Sequence, residues 1–161
     1  MVVTKYTKFQ IASRQLETAI GLFVSGRDRL SAISLAGAAD GILHALVLKS
    51  GREPFVEYSR RVRESVSGEI PPRGKYTTHI NNILMINALK HMDEGDAEDL
   101  ELDVDECAVG AILKAVANYR KLVESDPDFI KAFFAWTWQN MDGPKVMEAS
   151  KLLPPKLRKS P

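Results

Sequence analysis

Apolar residues recur along most of this chain at three- and four-residue spacing, the period of a helix with one buried face. Phe9, Ala12, Leu16, Ala19, Ile20 and Phe23 form the first such stripe and predict a helix from about Lys5 to Ser25, stopped by Gly26. Asp28 suits the N-cap of a second helix, from Arg29 to about Lys49, ahead of Ser50-Gly51. This helix is apolar nearly all round, with Ile33, Leu35, Ala36, Ala39, Ile42 and Leu43 on different sides, the pattern of a bundle's buried centre. Pro54 fits the first turn of a third helix, to about Ser65, carrying Arg60, Arg61 and Arg63. Ser67-Gly68 through Pro71-Pro72-Arg73-Gly74 reads as a loop. Further helices are predicted from about Thr77 to Met92, from about Val104 to Glu124, and from Pro127 to about Asn140. Between the fourth and fifth, Leu100, Leu102 and Val104 alternate with acids, the pattern of a short extended segment.

These elements predict an all-α fold, an up-and-down bundle of five or six helices with short connections. A chain of 161 residues supplies one core, so residues 1–150 are expected to form a single domain. A short amphipathic piece after Pro144 completes it, and residues 151–161, with Lys156, Arg158 and Lys159, form a flexible basic tail.

Composition is that of a globular protein, 45% apolar and 27% charged. Cys107 is the only cysteine, which excludes an internal disulfide; the neighbouring Glu106 disfavours its thiolate, so it reads as structural. No basic-then-apolar leader opens the chain, and Asp40 and His44 interrupt its longest apolar stretch. The expectation is a cytoplasmic protein with no membrane span.

Charge changes the picture more. The net charge is +1, yet nine acids and no Lys or Arg lie between Asp93 and Glu106, leaving 22 basic and 12 acidic residues elsewhere, about +10. Such a body attracts phosphate or an acidic partner surface, or else the acidic stretch is a solvated linker beside its own basic surface.

Two constellations can carry chemistry. Asp40 and His44 lie one turn apart on the most apolar helix, on a face shared with Gly37 and Gly41 that lets another helix come close. A buried carboxylate needs a fixed partner, either His44 or a group on a neighbouring helix. Asn87 and His91 are also one turn apart, at a predicted helix C-terminus that favours charged His91.

Leu22 to Leu43, which contains Gly26, the Ala-rich run Ala36-Gly37-Ala38-Ala39 and then Asp40, resembles the first helical hairpin of HEPN domains. Those are small helical bundles, many of them metal-independent RNases, others inactive and binding nucleotides or proteins. The resemblance implies a catalytic Arg, a following polar residue and a His four to six positions on. Asn87 and His91 match the polar and His positions, but Ile86 stands where the Arg would be. In such RNases the His transfers protons while the Arg stabilises charge on phosphorus, which an aliphatic side chain cannot do. Lys90, one turn beyond Ile86, is a substitute cation of poorer geometry. Arg73 and His79 form a second formal match, with Gly74 after the Arg.

Other chemistries lack their residues. There is no Glu-x-x-His pair for a di-iron bundle, no Gly at the sixth position of the Asp99–Asp105 acids for an EF-hand, and no phosphate-binding Gly loop or Gly-x-Ser-x-Gly elbow. No metal or cofactor is expected. The sixth helix holds Phe129, Phe133, Phe134, Trp136 and Trp138, five of 12 aromatics, and reads as core or, where exposed, as a partner surface.

The leading expectation is a non-catalytic binding or interaction protein on a HEPN-like bundle, a homodimer whose ligand is a protein partner or an RNA or nucleotide. Its binding residues are Asp40, His44, Asn87 and His91, converging on one pocket or interface, with Arg73 as a further binding residue. The alternatives are a metal-independent endoribonuclease using His91 with Asn87, helped by Arg73 or Lys90, and a purely structural bundle.

Overall fold

Thr7 and Gln10 start the first helix. The Thr7 hydroxyl accepts from the Gln10 amide at 3.1 Å and the Gln10 side chain accepts from the Thr7 amide at 2.8 Å, a reciprocal cap. In this computed structural model, which describes residues 1–141, α1 therefore begins at Lys8 rather than Lys5 and runs to Val24. Gly26, at φ 72°, turns the chain, and Asp28 accepts from the Leu30 amide to open α2 (Arg29–Lys49), bounded as its caps predict. α3 spans Phe55–Ser67, α4 Arg73–Ile83, α5 Val104–Tyr119 and α6 Asp128–Asn140. The fold is an all-α packed bundle of six helices, with no strand among the described residues. The amphipathic piece after Pro144 and the basic tail lie outside the described residues.

Three local expectations are corrected. Arg73 and Gly74 open α4 instead of closing a loop, because Pro72, at φ −55°, is already set for helix entry and accepts from the Tyr76 amide. The fourth helix stops at Ile83, not Met92. Met85 adopts φ 58°, the Met85 amide donates to the Asn82 carbonyl and the Ile86 amide to the Asn81 carbonyl, so the chain reverses there. The extended segment is absent: Leu102 packs on the core from a connection that runs from Leu84 to Asp103 and is not short, and Val104 does so as the first residue of α5.

The core lies among α1, α2, α5 and α6, where Leu16, Phe23, Ile33, Leu43, Ile112 and Phe133 are fully buried. Phe23 meets Phe133 at 6.0 Å and Trp136 at 4.7 Å, both edge-on, so most α6 aromatics are core while Trp138 is 72% exposed. α3 and α4 form an outlying hairpin that buries only Val56 and Tyr76 from its helices. Polar ties hold this layer instead: the Ser59 and Tyr76 hydroxyls at 2.6 Å, and Arg60 donating to the Pro71 carbonyl at 2.7 Å. Hydrogen bonds from Arg61 and from Arg120 hold the carboxyls of Glu53 and Asp126 below the usual carboxylate range.

Two glycines clamp the reversal between helices. A Cβ on Gly37 of α2 would stand 2.6 Å from Ile86 Cγ2, and one on Gly110 of α5 would meet the Leu84 side chain. The outcomes of substitution differ, because the Leu84 Cδ2 atom ends a flexible side chain whereas Ile86 is branched at Cβ and fixed in the core. Gly37→Ala is expected to destabilise by about 1–3 kcal/mol through overpacking. Gly110→Ala should be neutral or gain up to about 1 kcal/mol from helix propensity. Urea denaturation of the two variants checks the contrast; equal losses would contradict it.

Candidate functional site

The predicted site residues divide into an interior network and a surface region. Asp40, 4% exposed, forms an ion pair with Lys114 of α5 and accepts from the Asn118 side-chain amide at 2.7 Å. Asn118, wholly buried, passes the connection on: its carbonyl oxygen accepts from the Phe55 amide at 2.8 Å, at the start of α3. The partner of Asp40 is thus on a neighbouring helix, not His44. This network satisfies a buried carboxylate, a buried ammonium and an unpaired amide in α3's first turn, and ties three helices in register. His44 is half-buried and makes no hydrogen bond among the described residues.

Beyond Met85 the chain makes one more turn, with Leu89 donating to the Met85 carbonyl and His91 to the Asn87 carbonyl. The Asn87 side-chain amide reaches back to Asn82 at 2.9 Å, across the reversal. Asn82, Asn87 and His91 line an open cleft of about 740 Å³ together with Asp93, Asp96 and Glu98. Asn87 and His91 are therefore brought together, while Asp40, His44 and Arg73 are not among the residues that line this cleft. Its charged lining is acidic apart from His91, an environment that repels phosphate. Among the described residues no three His, Cys, Asp or Glu side chains are placed to hold a metal ion.

Ile86, at the position where the resemblance implies an arginine, is 2% exposed and belongs to the central cluster, lying over Gly37. The reversal at Met85 directs this side chain inward while Asn87 and His91 face the cleft. Arg73 is 75% exposed and pairs at 3.2 Å with Glu57, which also takes Arg60 at 3.2 Å. His79 is exposed farther along α4, beside Lys75 and Thr78. Cys107 is buried and donates weakly to the Ile83 carbonyl at 3.7 Å; burial first, then Glu106 and Asp103, pushes its thiol pKa up and leaves it unreactive.

A second recess, of about 420 Å³, lies along α2. Gly37, Ala38, Gly41, Ile42, Ala45 and Leu46 floor it, and Lys8 and Lys90 complete its lining. The origin of this surface is α2 itself. Its 21 residues reach a mean hydropathy of 1.6 over the most apolar window, enough by length and composition to cross a membrane, yet only 44% of that window is buried. α1 and α5 cover two sides of α2, and Ile86 caps Gly37; the remaining apolar side is open.

No family model, curated protein or solved structure matches this chain. The resemblance of Leu22–Leu43 to HEPN hairpins is carried by those residues alone.

Sequence reading did not single out Lys114, Asn118 or Lys8. The signal for the first two was present: Lys114 and Asn118, one turn apart, interrupt the stripe of Ala108, Ala111, Ala115 and Val116. Lys8 carries no such mark, since a lysine in the first turn of a helix is ordinarily solvated.

Proposed function

We propose that this chain is a non-catalytic interaction protein, a helical bundle that engages its partner through the open face of α2 and works as a homodimer. The observation that carries this reading is the pairing of a buried Ile86 with an open apolar recess lined by Lys90 of the same short segment. Apolar surface concentrated in a concave strip between two lysines is the composition of a docking surface rather than of a solvated face.

The charges on either side favour the same reading over an endoribonuclease. Proton transfer by His91 on a phosphodiester requires a cation at the phosphate, and the residues lining its cleft include three carboxylates and no Lys or Arg. Lys90 lines the α2 recess, and Arg73 is held by Glu57. A purely structural bundle gives no role to the recess.

A methyl-resolved NMR dilution series tests the interaction reading. Ala38, Ala45 and Leu46 are expected to shift with concentration while the buried methyls of Ala111 and Ala115 stay fixed. Constancy of the α2 methyls from dilute to concentrated protein would count against the homodimer.

A further inference from the structure

The partner that fits the α2 recess is written into the chain beside it. We propose that each recess receives the acidic segment Met92–Glu101 of a second copy, so that two copies exchange these segments about a two-fold axis. This deepens the interaction-protein reading and rests on it.

Recess and segment complement each other in shape and in charge. The recess has an apolar floor, a Cβ at Gly41 would find no atom within 4 Å, and the two cationic residues Lys8 and Lys90 complete its lining. The segment carries two exposed apolar anchors, Met92 at 68% and Leu100 at 45%. Around them are Asp93, Glu94, Glu98, Asp99 and Glu101, none of which forms an ion pair among the described residues. Other acids nearby are already engaged: Asp103 caps α5 and Asp105 pairs with Arg29 at 2.7 Å. The stretch that exposes Met92 and Leu100 thus carries the densest run of carboxylates outside ion pairs among the described residues.

Connectivity selects a second copy over the chain's own segment. The segment leaves the bundle at His91, next to Lys90, and lines the His91 cleft with Asp93, Asp96 and Leu100, while the recess lies along α2. Leu102, packed on the core, anchors its far end. Pulling it into its own recess would give up both sets of contacts. A two-fold axis near Lys90 instead sets the acidic segment of each copy over the recess of the other, and the same patch serves both sides, as an isologous interface requires. The association is expected to weaken with salt, since its polar contacts are exposed ion pairs.

Reciprocal charge reversal tests the exchange, with the mass read by light scattering after size exclusion and the fold by circular dichroism. One full-length variant carries Lys8→Glu and Lys90→Glu, the other Glu98→Lys, Asp99→Lys and Glu101→Lys; all five positions are exposed. The native chain is expected to dimerise, and each variant alone to dissociate on the order of 100-fold more readily, because each opposes like charges twice. An equimolar mixture should recover the dimer, since the acidic recess then meets the basic segment and the native recess meets the native segment. Folded variants that remain dimeric alone, or a mixture that stays monomeric while the native chain dimerises, would overturn the exchange and leave the interaction reading standing. A native chain that is monomeric at every concentration would sink the exchange and the homodimer together. Gly41→Trp, placed where the backbone has open space, provides a second probe: a folded monomer is expected, and an unchanged dimer contradicts the proposal.

Discussion

Lys114→Met is expected to cost the fold about 3–5 kcal/mol, read by urea denaturation, because it leaves the carboxylate of Asp40 in the interior without its counter-ion. Asn118 would still donate to Asp40, but a single neutral hydrogen bond does not replace an ammonium partner at a site this dry. The cost belongs to the broken pair and not to the pair's net worth. The double variant Asp40→Leu, Lys114→Met removes both charges at once and is expected to regain most of the loss, the signature of strongly coupled neighbours. Asn118→Ala should fall between, since it frees both the Asp40 carboxylate and the Phe55 amide at the head of α3. A loss below about 1 kcal/mol for Lys114→Met, the range of an exposed pair, would contradict the buried network.

The second large effect concerns the residue on which the two functional readings divide. Ile86→Arg restores the cation that the HEPN resemblance implies. At a position 2% exposed, directly over Gly37, it also forces a guanidinium into the packed core. The expected result is a loss of about 4 kcal/mol or more, enough to unfold a bundle of ordinary stability. Ile86→Val should cost only about 0.5–1.5 kcal/mol, as a trimmed methyl in a packed core does. Thermal and urea unfolding of the two variants checks the pair. A stable Ile86→Arg variant that cleaves RNA would instead make position 86 part of a site.

How legible each of these features was depended on where its cause lies. The bounds of α2 are set by neighbours in sequence, Asp28 at one end and Ser50-Gly51 at the other, and the structure keeps them. The start of α1 is equally local, in the reciprocal pairing of Thr7 with Gln10, a signal separate from the apolar stripe that begins at Phe9. The end of α4 was not local. Met85 turns into the left-handed region without a Gly or Asn to announce it, at a cost of about 1–2 kcal/mol. That cost is offset by Leu84 and Ile86 packing over Gly110 and Gly37, contacts with helices remote in sequence.

The same distinction holds for the site. That Asp40 needs a fixed partner followed from burial alone, whereas the identity of Lys114, 74 positions away, follows only from the packing of α5 on α2. Asn87 and His91 share the cleft because one turn survives after the reversal. The reversal also separates them from Ile86, which helical spacing alone would have kept on the face of Lys90. The recess was visible in part: an all-round apolar α2 was readable, but which side its neighbours leave uncovered is a property of the assembled bundle.

The most direct test of the central claim is incubation of a mixed RNA pool with the purified chain in chelator-containing buffer, beside His91→Ala. Equal RNA integrity in both samples is the predicted result, and it ends the endoribonuclease reading for the free chain on those RNAs. Cleavage by the native chain that disappears in His91→Ala would contradict the account and make the acidic cleft a catalytic one.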